Sequence, residues 1–229
     1  MKKFTMTALA AAAAAVSFQA YAQDGVDPLT QVEPVTAEWF HDGSEPDYVV
    51  DVPSFTVPAT GVIDYIDSVI PLEFGEDKWV KAVQFIPGDK RVLHHLLSYV
   101  VADTPDAGDG MLDETVNDPR REFLEGYAPG KEYATEFPEN TGIYVPEGSA
   151  LRMSIHYTSF GQETTDSTRV GLWFADENNE PEYQYHTYSV ATPMNQIQIP
   201  AGAMEHESAA THVFEDEITL YGFRAHMHY

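Results

Sequence analysis

The sequence contains no cysteine. Disulfides cannot staple the fold, and thiolates are excluded from any metal site, which leaves histidine, methionine and carboxylate as ligands. Basic residues are scarce too: 12 Lys and Arg stand against 37 Asp and Glu, a net charge of -25. Such a surface repels nucleic acid and anionic membranes. Long apolar runs are also missing. The stretch from Met6 to Val16 is the most apolar, yet it is shorter than the roughly 20 residues a spanning helix needs. No membrane span is expected.

That short run instead follows Lys2 and Lys3 and precedes Ala20-Tyr21-Ala22, a small-residue cleavage pattern. Residues 1–22 read as a secretory signal peptide cut near Ala22, and the mature chain as secreted or periplasmic. The remaining 207 residues carry 10 basic and 37 acidic side chains. They are enough for one large or two modest domains. The acids are scattered, and 43% of the chain is hydrophobic, so the composition is that of a folded globule rather than a disordered chain.

Residues 23–53, rich in proline and acid, read as an extended lead-in anchored by Trp39 and Phe40. Beyond them, short apolar runs alternate with proline and glycine: Phe55 to Val57, Trp79 to Ile86, Val92 to Val101, Leu151 to Tyr157, Val170 to Phe174, Ile197 to Ile199 and Ile218 to His228. This spacing predicts an all-β sandwich. A short helix is expected only near Arg120 to Glu125. A joint around Asp176 to Pro181 divides a first domain, 54–180, from a second, 181–229.

Five of the nine histidines sit inside these apolar runs: His94, His95, His156, His226 and His228. Alternation puts Leu151, Met153, Ile155 and Tyr157 on one strand face and Arg152, Ser154, His156 and Thr158 on the other. In the last run His226 and His228 share a face with Gly222 and Arg224, opposite Tyr221, Phe223 and Met227. A two-residue period brings both imidazoles to one side, close enough to chelate one ion. The adjacent pair His94 and His95 points to opposite faces of a flat strand, so both reach one ion only where a bulge or local twist re-aims one of them. Any one of these alone reads as a hydrogen-bonded core histidine. Two close pairs plus a fifth point to metal, and an imidazole or imidazole–methionine donor set suits copper, nickel or zinc, with the usual affinity order favouring Cu(II).

Three runs carry a family resemblance: Arg91-Val-Leu-His-His-Leu-Leu-Ser-Tyr99, Glu147-Gly-Ser-Ala-Leu-Arg-Met-Ser-Ile-His-Tyr157 and Phe223-Arg-Ala-His-Met-His228. In order and spacing they resemble the copper type II ascorbate-dependent monooxygenases, which include the peptide α-hydroxylating and dopamine β-hydroxylating enzymes. The likeness spans about Thr56 to Tyr229. It implies two jelly-roll-like β-sandwich domains and two copper ions. His94, His95 and His156 would hold the electron-transferring copper. His226 and His228, with a methionine from a later strand, would hold the one that meets dioxygen. The implied reaction hydroxylates a C–H bond of a small organic or peptide substrate, with ascorbate or another electron donor. Arg224 resembles the arginine that grips a substrate carboxylate in the peptide-hydroxylating members; a surface salt bridge in an acid-rich protein is the competing reading. The chain stops at Tyr229, one residue past His228, so the methionine strand is expected to be missing and the second domain incomplete. His41, His186, His206 and His212 match no ligand of the family.

Two other functions fit the same histidines. One is a non-catalytic periplasmic copper-binding protein, and the other is a structural module in which the histidines only pack. Since protonated imidazole cannot ligate, a histidine-only copper site is expected to empty as pH falls through about 6.5.

Overall fold

A computed structural model describes residues 38, 39, 41–102, 120–191 and 197–224. Among the described residues it contains twelve strands and no helix. The strands are β1 Tyr48–Asp51, β2 Phe55–Val57, β3 Ile66–Pro71, β4 Lys78–Ile86, β5 Leu93–Ala102, β6 Arg121–Tyr127, β7 Thr135–Glu136, β8 Thr141–Val145, β9 Ser149–Tyr157, β10 Thr164–Asp166, β11 Arg169–Phe174 and β12 Tyr183–Gln184. The protein is all-β, as the punctuated apolar runs predict. Among the described residues no helix is long and apolar enough to cross a membrane.

Two sheets hold most of the strand residues. One has the order β1-β11-β4-β8-β12, with β7 also paired to β4; the other is β3-β9-β5-β6, and β10 pairs with β2 in a small ribbon. Alternation along each strand decides which side chains turn inward. Leu151, Met153, Ile155 and Tyr157 of β9 meet Leu93, Leu96 and Val100 of β5 from the second sheet, and Val80, Val83, Phe85, Ile143, Val170 and Leu172 from the first, in one buried cluster. Each sheet supplies one apolar face to the shared core, a sandwich-like packing.

Four details differ from the expectations. Residues 121–127 form a strand where a helix was expected. Arg, Glu and Leu favour helix intrinsically, but pairing β6 to β5, with Leu96 opposite Tyr127 and Ser98 opposite Glu125, buries Leu124 and Tyr127 in the core, and tertiary burial overrides so weak a prior. Residues 197–199 and the described part of the last run, 218–224, form no strand. Among the described residues they pair with no strand, and Ile199, Leu220 and Phe223 are exposed; an unpaired strand is not stable in water. The lead-in contributes β1, zipped to β11 with Tyr48 opposite Leu172. β12 lies past the expected joint at 176–181 and pairs with β8 of the first sheet.

The strands that matter most for the site are tied together by Asp166, whose side chain is fully buried at the end of β10. It accepts hydrogen bonds from Tyr157 Oη at 2.9 Å, from Thr168 Oγ1 at 2.7 Å and from the backbone N–H of Asp89 at 2.8 Å. Gly88 makes the last of these possible, because a Cβ there would collide with the backbone nitrogen of Ser167. The turn before β5 can therefore lie directly against Asp166. Replacing Asp166 by alanine strands three donors, two of them side-chain hydroxyls on β9 and beside β11. Unmet buried groups cost about 1–3 kcal/mol apiece before relaxation. Urea unfolding is expected to show a loss on the order of 3 kcal/mol for Asp166→Ala, against roughly 0.5 kcal/mol or less for the exposed Asp51→Ala.

Candidate metal centre

The sequence Leu93-His94-His95-Leu96 places two apolar residues three apart, which strict strand alternation cannot bury together. Yet Leu93 is 1% and Leu96 0% exposed. The ladder explains how: Leu93 pairs with Tyr157 and His95 with His156, while Leu96 pairs with Ile155, so the register slips by one residue at His94. His94 is the extra residue of a β-bulge. The bulge lets both leucines enter the core and turns both histidines to the opposite face, where His156 of β9 already points.

The three imidazoles consequently meet. A ring nitrogen from each of His94, His95 and His156 lies within 4.8 Å of the others. His156 Nδ1 is 3.2 Å from His95 Nε2, and the ring centroids are 4.9 to 5.3 Å apart. A tetrahedral ion with metal–nitrogen bonds of about 2.0 Å requires ligand nitrogens about 3.3 Å apart, so the His95–His156 pair already has the needed spacing. His94 is the exposed member of the set. Among the described residues this is the one group of three or more histidines or carboxylates spaced to hold an ion. Burial, helped by the nearby His94, shifts the pKa of His156 below the usual histidine value. The neutral imidazole that a metal needs is thereby favoured. The donor set of three nitrogens without thiolate fits copper, zinc or nickel.

A second layer fixes the two strands. Asp89 receives Arg91 through Nε at 2.9 Å and Nη2 at 2.7 Å, and Thr164 Oγ1 donates to it at 2.9 Å. This bidentate pair shapes the turn that launches β5 five residues before His94. Past the site, the N–H of Thr158 donates to the carbonyl of Val92 at 2.9 Å, closing the ladder around the bulge.

Tyr65 also belongs to the site, and the sequence reading missed it. Its ring stacks on His156 with centroids 4.6 Å apart and 15° between planes, and its hydroxyl is 3.4 Å from His95 Nε2. Pairing of β3 with β9 puts Ile66 opposite Ile155, so the residue before Ile66 falls beside His156. Only knowledge of that register would have singled Tyr65 out.

The other expected site residues fare differently. Arg224 Nη2 donates to Glu125 Oε1 at 3.0 Å, and Lys131 Nζ reaches the same oxygen at 2.9 Å. Burial raises the Glu125 pKa, but Lys131, the Gly126 N–H and Arg224 outweigh it and keep the carboxylate ionised. The guanidinium thus makes the salt bridge that was the competing reading. His226 and His228 lie outside the described residues. His41 is buried against Trp173, His186 pairs with Glu122 at 2.6 Å, and His212 packs on Tyr188 and Phe214.

Comparison with known proteins finds no matching family model and no matching curated protein. The functional reading therefore stands on the residues themselves.

The Arg91 pair holds the Asp89 carboxyl at about 2, against an ordinary value near 4. A depressed carboxyl pKa contributes stability that is complete above about 4 and is lost as pH falls through about 2. Asp89→Asn should therefore be less stable than the parent at pH 7, and the gap should close between about pH 4 and pH 2. Thermal melting at stepped pH checks this, and a gap independent of pH would contradict it.

Proposed function

We propose that the protein is a copper-dependent monooxygenase of the ascorbate-dependent type, exported from the cell, in which His94, His95 and His156 hold the electron-transferring copper. The observation that carries the reading is the meeting of three imidazoles from β5 and β9, 61 positions apart in sequence, in the pattern of motifs that the resemblance is built on. His226 and His228 as half of a second copper site, and a C–H bond of a small organic or peptide substrate as the target, belong to the same proposal.

Copper bound by three imidazoles supplies one-electron chemistry, because nitrogen donors accommodate both of its oxidation states. The chain's own contribution is mechanical and electrostatic. The bulge at His94 aims two neighbouring side chains at one point, and burial lowers the His156 pKa, which favours the neutral imidazole. Asp166 ties β9 to the turn entering β5 and so would limit movement of the two ligand-bearing strands. Preorganisation of this kind suits electron transfer.

Exposure of His94 supports a second reading. An ion at the surface can exchange with solvent, as in a non-catalytic copper-binding protein of the periplasm.

The test uses the purified exported chain loaded with one equivalent of copper. The parent is expected to bind it, and anaerobic ascorbate is expected to bleach its Cu(II) resonance signal. His156→Ala should weaken copper binding by more than the roughly 10- to 100-fold typical of losing an outer-shell partner. Its melting temperature should change little, since His156 faces away from the core. Unaltered copper affinity in His156→Ala would refute the site. Tight copper binding whose Cu(II) signal anaerobic ascorbate leaves unbleached would select the non-catalytic reading.

A further inference from the structure

A histidine that ligates a metal is usually oriented by a hydrogen bond from its second ring nitrogen to a carboxylate, a backbone carbonyl or water. Among the described residues no carboxylate or backbone carbonyl takes that role for His156. Among the described residues its hydrogen-bonding neighbour is His95, through Nδ1, and the group lying against its ring face is the phenol of Tyr65. A centroid separation of 4.6 Å with planes 15° apart is the geometry of offset stacking, which restricts rotation about the last side-chain torsion of the imidazole.

The backbone of Tyr65 is held on both sides. After it, β3 pairs with β9 from Ile66 opposite Ile155 onward. Before it, the loop is pinned to the segment following β9: Gly161 N–H donates to the carbonyl of Ala59 at 2.9 Å, and Ser159 Oγ to that of Gly61 at 3.5 Å. Ile63 anchors the loop by packing against the main core. Yet the Tyr65 side chain is itself 51% exposed. An aromatic ring left half in water on a pinned loop, lying flat on one ligand and reaching a second, contributes little to the core and much to the orientation of the cluster.

We infer that Tyr65 is a positioning residue of the metal centre, whose ring face fixes the plane of His156 in the orientation required for ligation. The inference rests on the reading of His94, His95 and His156 as a copper site. The ring carries the effect and the hydroxyl is secondary, so phenylalanine should replace tyrosine where an aliphatic residue cannot.

Two variants and two measurements test it. In metal-free protein, the ring protons of His156, assigned by their loss in His156→Ala, should be shifted by the neighbouring ring in the parent and in Tyr65→Phe, and should move towards ordinary histidine values in Tyr65→Leu. With copper, Tyr65→Phe should keep affinity within about twofold and an unchanged Cu(II) resonance spectrum. Tyr65→Leu should lose roughly tenfold in affinity, as for an outer-shell partner, with altered hyperfine splitting and a melting temperature close to the parent's. Parent-like copper affinity and spectrum in Tyr65→Leu would overturn the inference. So would a Tyr65→Phe variant as impaired as Tyr65→Leu, since the hydroxyl would then be the acting group. Failure of the parent itself to bind copper, with the ring shifts as expected, would refute the copper reading and leave the Tyr65 clamp on His156 standing.

Discussion

One buried carboxyl group sets the geometry on which the site depends. Asp166 accepts a hydrogen bond from Tyr157, the residue after His156, and another from the backbone of Asp89, at the turn that leads into His94 and His95. The two strands carrying the imidazoles are thereby tied at the same end of the sheet. A buried carboxyl with its acceptor positions filled is tolerated in a core, whereas one with partners missing is not. Small changes at Asp166 should thus propagate to the histidines through tethers that are covalently close to them.

Upon that frame the bulge does the chemical work. Hydrophobic burial of Leu93 and Leu96 is the driving term, and the irregular ladder at His94 is its consequence. The core, in burying both leucines, ejects both histidines on the same side. No strain needs to be invoked and no unusual residue is required. A site aimed by the packing of the leucines behind it is rigid for the same reason that the core is rigid.

The legible and illegible parts of the protein divide along physical lines. Strands β4, β5, β9 and β11 announce themselves because their apolar residues recur in runs long enough to be unmistakable. That His94 and His95 could share one ion only through a bulge or twist follows from alternation. β6 was misread because Arg121 to Glu125 favour helix locally, and only pairing with β5 reveals the strand. Tyr65 and Asp166 were invisible for a related reason: each acts through a residue distant in sequence, His156 or Tyr157 and Asp89, and that proximity is created by strand register. Arg224 had two readings in sequence, and its bond to Glu125 could not be foreseen without the fold that brings residues 99 positions apart together.

The most direct measurement of the central claim is the number of imidazoles bound to copper, read from X-ray absorption of the protein loaded with one equivalent and compared with His156→Ala. The predicted result is three imidazole nitrogens per copper in the parent and two in the variant. An identical imidazole count in both proteins, or a shell dominated by oxygen, would contradict the assignment of His94, His95 and His156 as one metal centre.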